Sequence, residues 1–129
     1  MKKKYLIVIA DYYKDISKGL LDSALKKIPI SNSIKIIKVP GVFEIPITIS
    51  KNIKKYDAFL ALGCVIKGET PHFDFISSAS TNAIMDLSIS YKKPIGNGII
   101  TCLNMRQAKA RKKKGAEATE AVISILSQK

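Results

Sequence analysis

One histidine, two cysteines and two arginines are all that the 129 residues contain of those types, and each scarcity excludes a class of chemistry. Cys64 and Cys102 stand far apart with only His72 to join them, which leaves neither a zinc-ligand spacing nor a disulfide framework, so two buried thiols are expected. No G-x-x-x-x-G-K-[ST] or G-x-G-x-x-G run occurs, which disfavours nucleoside triphosphates and dinucleotides. Asp57 precedes an apolar run instead of ending it, which weakens a phospho-acceptor receiver reading. No apolar stretch has the length of a membrane span or a secretion signal, which predicts a cytoplasmic protein with no membrane partner. Repeats, low-complexity tracts and linkers are missing too, and the length suits a single domain over residues 1–129.

Acidic residues are also few, 10 against 22 lysines and arginines, for a formal net charge of +12. The excess is almost wholly lysine, since only Arg106 and Arg111 are arginine, and isoleucine is used as heavily, the pattern of a general compositional bias. With little arginine and no interleaved aromatics, base readout is disfavoured and no nucleic-acid partner is expected. The charge should aid solubility and draw in anionic ligands.

What is present is an alternation of strand and helix with short connections. Tyr5 to Ala10 is the first apolar run, followed by a polar loop with Tyr12 and Tyr13. From Ile16, the residues Leu20, Leu21, Ala24, Leu25 and Ile28 recur at helical spacing until Pro29. Ile34 to Val39 reads as a second strand stopped by Pro40-Gly41, and Pro46 suits the first turn of a helix running through Ile49 and Ile53. AFLALGCVI at 58–66 is apolar without alternation, as a strand covered on both faces must be. A long helix to about Ser90 should turn Ile76, Ala79, Ala83, Ile84 and Leu87 inward. Ile95 to Thr101 is a fourth strand, in which Gly96 and Gly98 suggest the close approach of another backbone or a ligand. Ala118, Ala121, Val122, Ile125 and Leu126 then form the stripe of a final amphipathic helix. This order predicts a three-layer α/β sandwich, a four-stranded parallel sheet with helices on both faces.

The segment GCVIKGETPHFDF at 63–75 organises the rest. Thr70 suits a helix N-cap and Pro71 the first helical position, so the amides around Glu69 and Thr70 are expected to attract an anion such as phosphate, with His72 beside them. An ordinary strand-loop-helix corner with a surface histidine fits the same residues. In an open parallel sheet, ligands lie at the carboxyl ends of the strands, where Tyr12 and Tyr13, Val42 to Glu44, Cys64 to His72, and Thr101 with Asn104 should converge.

VPGVFEIP, ALGCVIKGETPHFDF, PIGNGIIT followed by QAKAR, and KKGAEA together resemble the 6,7-dimethyl-8-ribityllumazine synthase family, in order and over almost the whole chain. The resemblance implies a flavodoxin-like fold and a transferase of riboflavin biosynthesis. That enzyme joins 5-amino-6-(D-ribitylamino)uracil to 3,4-dihydroxy-2-butanone 4-phosphate and releases phosphate and water, with no metal or organic cofactor. It also implies roles. Tyr12 falls at the aromatic that stacks on the pyrimidine; Val42, Phe43 and Glu44 hold the ribityl chain and uracil; main-chain groups of Cys64, Val65 and Ile66 meet the uracil edge. Glu69 and Thr70 match the phosphate loop, Arg111 the phosphate-binding arginine and His72 the proton-transfer residue, an imidazole being able to take and return a proton near neutral pH.

Family members form ring pentamers with sites between subunits, so the resemblance implies a homopentamer in which Asn97, Arg111 and Lys114 face a neighbour's Tyr12, Glu44 and His72. The amphipathic helices, the final one above all, are expected to supply the ring contacts. Asn97 stands where many members have a phenylalanine, Tyr13 where an asparagine is common, and the segment after Arg111 is short. A non-catalytic flavin or lumazine storage protein on the same fold and a basic nucleic-acid-binding domain are the rival readings; the intact Thr70, His72 and Arg111 set favours the enzyme.

Overall fold

Four parallel strands in the order β2-β1-β3-β4 carry the structure, a computed structural model that describes residues 2–68 and 72–128. They are β1 (Lys4–Ala10), β2 (Ser33–Val39), β3 (Ala58–Ile66) and β4 (Ile95–Cys102). Between and after them run α1 (Lys14–Lys27), a 3-10 turn (Val42–Glu44), α2 (Ile45–Asn52), α3 (His72–Tyr91), α4 (Met105–Ala110) and α5 (Lys114–Leu126). The α/β sandwich expected from the alternation is the observed one, and it is flavodoxin-like as the family resemblance implies.

The period of two along β1 divides the core. Tyr5, Ile7 and Ile9 join Leu60 and Leu62 of β3 under α1 and α5, whereas Leu6, Val8 and Ala10 join Phe59 and Ala61 under α2 and α3. Because β1 and β3 are covered on both faces, neither alternates in hydropathy; residues 58–64 of β3 are all buried. β2 lies at the sheet edge and buries only Val39 fully. Truncating a fully buried side chain such as Leu60 to alanine should cost about 2–5 kcal/mol.

The Gly-Asn-Gly of β4 marks a close approach of backbone. A Cβ on Gly96 would collide with the carbonyl oxygen of Ala118 in α5, so that helix lies directly on the strand. On its other side α5 meets α1: Gly115 packs against the Leu20 carbonyl, and Thr119 Oγ1 donates to Ala24 O at 3.3 Å.

Two expectations change, and a third is not tested. In α5 the inward residues are Gly115, Ala118, Thr119 and Val122, while Ala121 and Ile125 are exposed. The helix is turned toward α1 because its small residues admit that helix closely, and Thr119 is buried through its hydrogen bonds. Of the expected stripe, Ala118 and Val122 are therefore consumed inside the chain, while Ala121 and Ile125 face outward. In α3 the sheet-facing line is Ile76, Ser80, Ile84 and Leu87, which puts Ala79 a step aside and exposed. Glu69, Thr70 and Pro71, with the expected N-cap and anion loop, lie outside the described residues.

Candidate active site

At the carboxyl end of the sheet the strands release their chains into loops that are tied to one another. Asp11 N donates to Val39 O at 3.0 Å, joining the ends of β1 and β2, and Lys67 N donates to Cys102 O at 2.8 Å, joining β3 and β4. Ser17 Oγ, buried, donates to Ala10 O at 2.7 Å and fixes the first turn of α1 on the end of β1. Tyr12 and Tyr13 are thus held on a short, braced loop. Their rings meet edge to face with centroids 4.8 Å apart. Tyr13 is half-buried, whereas Tyr12 is 73% exposed with its ring available to a planar ligand.

The 3-10 turn Val42–Glu44 is set by one glycine. Val42 is buried against Gly63 of β3, and Phe43 and Glu44 follow on the rim. Thr48 Oγ1 donates to Glu44 O at 2.8 Å, and Pro46, which needs no amide partner, occupies the first turn of α2.

Between these segments and the start of α3 lies a cavity of about 730 Å³. Tyr12, Val42, Phe43, Glu44, Cys64, Val65, Ile66 and His72 all line it, as does Tyr13. Seven separate residues of the expected half-site, spread from position 12 to 66, and His72 are therefore brought to one place by parallel topology. Gly41, Phe75 and Ile76 line it as well and were not foreseen. The signal for the last two was available: they follow His72 by three and four residues and so share its face of α3.

Cys64 gives this wall its chemical character. Burial foremost, then the charge and hydrogen bonding of Cys102 alongside, pushes its thiol up to about 12. Both cysteines are buried and free, as expected. Tyr13 is also held above the usual phenol range, first by burial, then by Cys64 and Tyr12. Cys64 thus presents a neutral thiol to the cavity.

The remaining expected residues are elsewhere. Asn97 is exposed on β4, where its Oδ1 accepts the amide of Ile99 at 3.0 Å. Arg111 closes α4 and donates from Nη1 to Thr101 O at 3.1 Å, while Lys114 opens α5 near Glu117. Asn104 caps α4 by accepting from Gln107 N at 2.9 Å, and Gln107 Oε1 accepts from Leu103 N at 2.7 Å. Asn97, Arg111 and Lys114 are not among the residues that line the cavity. Among the described residues there is no cluster of three or more metal-ligating side chains.

A sequence model of 6,7-dimethyl-8-ribityllumazine synthase matches residues 2–129. The chain belongs to that family. Among curated lumazine synthases, 6,7-dimethyl-8-ribityllumazine synthase 1 of Rhodopseudomonas palustris is 41% identical over 136 residues, covering 95% of this chain and 83% of its own. The lumazine synthase of Methylorubrum populi is 43% identical over 98% of this chain and 82% of its own, and that of Cutibacterium acnes 38% identical over 96% and 80%. No helix of the lumazine synthase chain, among the described residues, is long and apolar enough to cross a membrane.

Proposed function

We propose that the 730 Å³ cavity is one half of the site at which this chain, an enzyme of the 6,7-dimethyl-8-ribityllumazine synthase family, carries out its transferase reaction. The reaction condenses 5-amino-6-(D-ribitylamino)uracil with 3,4-dihydroxy-2-butanone 4-phosphate to 6,7-dimethyl-8-ribityllumazine and releases phosphate and water. The observation that carries the assignment is the convergence of Tyr12, the 42–44 turn, the end of β3 and His72 on one space.

In this reading the pyrimidine stacks on Tyr12, its edge meets main-chain groups of Cys64, Val65 and Ile66, and Glu44 accepts hydrogen bonds from ribityl hydroxyls. The aryl amine attacks the ketone carbonyl and water leaves as the imine forms; loss of the intervening C–H proton expels phosphate from the carbon β to the imine, the resulting enol ketonises, and the second amine closes the ring on that carbonyl with loss of a second water. Each step moves a proton, which His72 takes and returns. Most of the acceleration comes from holding the two substrates aligned. Phosphate leaves toward Arg111, whose guanidinium grips it through paired hydrogen bonds, and the family pattern assigns Glu69 and Thr70 to the same phosphate.

The other half-site, with Asn97, Arg111 and Lys114, belongs to a neighbouring subunit of a homopentamer in the cytoplasm. Two features support a shared site. These three residues lie off the cavity of their own chain. The α2–α3 face also leaves apolar surface uncovered: Phe43, Ile47, Phe75, Met85 and Ile89 are exposed, and a second groove of about 400 Å³ runs between the two helices. In this reading the α2–α3 face makes ring contacts together with the exposed Ala121 and Ile125 of the final helix. Mixing the purified chain with both substrates and following the lumazine absorbance and green fluorescence tests the function. A chain that binds lumazine but never forms it would be a storage protein instead.

A further inference from the structure

Basic residues stand at both edges of the sheet, but at the carboxyl edge Lys14, Lys109, Arg111, Lys112, Lys113 and Lys114 are interspersed with Asp15, Glu44, Asp74 and Glu117, so the net positive excess lies at the other edge. In a parallel α/β sheet every helix ends at the edge where the strands begin, and last-turn lysines are favoured there by the helix dipole. Lys26 and Lys27 end α1, Lys51 lies in the last turn of α2, and Lys54 and Lys55 follow it. Lys92 and Lys93 join α3 to β4, and a run of three lysines at 2–4 leads into β1. Hydrogen bonds weld these segments together: Asp57 N donates to Lys4 O at 2.8 Å, Ser33 N to Lys3 O at 3.0 Å, and Lys93 Nζ to Ile53 O at 2.7 Å.

The counter-charge at this edge is small and partly engaged. Asp57 Oδ2 accepts the Lys4 amide at 2.8 Å, and Glu120 pairs with Lys27 at 3.4 Å. Asp86 lies more than a turn back along α3. A compositional bias explains the number of lysines but not this imbalance of net charge between the two edges, which follows from where the acidic first-turn residues sit. Four strands about 4.8 Å apart, with a helix layer about 10 Å deep on either side, make a basic face of the order of 30 Å across. It lies at the opposite edge of the sheet from the substrate cavity.

We propose that this amino-edge face binds the phosphate backbone of single-stranded nucleic acid without reading sequence. Lysine is a compact point charge suited to phosphate and poorly suited to bidentate base recognition, so the scarcity of arginine that argues against readout is compatible with backbone binding. Tyr91, exposed beside Lys92, adds a ring on which a base can stack.

The test is fluorescence anisotropy of a labelled, mixed-sequence RNA of about 20 nucleotides with the full chain. If about six lysines reach phosphates, raising monovalent salt from about 50 to about 200 mM should weaken binding by about 300-fold. The pair Lys54→Glu and Lys55→Glu should weaken it by at least about tenfold at the lower salt while lumazine formation is unchanged. Lys14→Glu with Lys18→Glu should change it by less than about threefold, because those two lysines already pair with Asp11 and Asp22. Should the Glu pair disturb folding, Lys54→Gln with Lys55→Gln makes the same comparison. Equal losses from the two edges would overturn the proposal in favour of diffuse net charge. Competition by polyglutamate as effective per charge as that by RNA would overturn it in favour of an acidic protein surface.

Discussion

A Cβ placed on Gly63 of β3 would lie 2.8 Å from Val42 Cγ2 and 3.1 Å from the Ala10 side chain. The turn that carries Phe43 and Glu44 therefore rests on a strand position with no side chain, and the cavity wall is positioned by that missing methyl group. Gly63→Ala should push the turn outward. The expected result is a loss of about 1–3 kcal/mol in stability, with the KM for the uracil substrate raised more than that for the butanone phosphate. Chemical denaturation and steady-state kinetics read the two effects, and an unchanged KM would separate the turn from uracil binding.

His72→Ala should lower kcat by about 100-fold without abolishing turnover. Alignment of the substrates survives the loss of the imidazole, and solvent replaces part of the proton transfer. The measurement is kcat with both substrates saturating and with folding checked by circular dichroism. An unchanged kcat would remove His72 from the mechanism.

Cys64 should resist alkylation in the native protein at pH 8 and react rapidly once the chain is unfolded, because its thiol titrates near 12 when folded and near 9.0 otherwise. The same shift has a consequence for stability. A raised thiol pKa favours the folded state fully below about pH 9 and loses that contribution as pH rises toward 12. Cys64→Ala should accordingly flatten the fall in stability over that interval, as followed by denaturant titrations. A native thiol that labels as fast as the unfolded one would contradict the burial that causes the shift.

How much of this was legible in the sequence depends on whether a residue's place is fixed by its own neighbours. β3 was readable because a strand buried on both faces must be continuously apolar, and Gly96 because only a close backbone accounts for it. The stripe of α5 was misread because Thr119 is buried through hydrogen bonds to Ala24 and Gly115, which hydropathy does not report. Phe75 and Ile76 were passed over as core residues although they share a helix face with His72 at the cavity. The gathering of Tyr12, Glu44, Cys64 and His72 was predictable once the sheet was taken as parallel. The lysine edge was not, since a net charge carries no information about where the chain ends its helices.

The central claim is that one chain supplies Tyr12, Glu44 and His72 while its neighbour supplies Arg111. Arg111→Ala alone should raise the KM for the butanone phosphate by about 10- to 100-fold, the loss of a charge-assisted phosphate contact. Co-refolding equal amounts of His72→Ala and Arg111→Ala chains then decides the claim. Random assembly places an intact His72 side against an intact Arg111 side at about a quarter of interfaces. At substrate levels where each parent is nearly inactive, the mixed rings should recover about a quarter of the wild-type rate. Mixed assemblies no more active than the mean of the two parents would contradict a site shared between subunits.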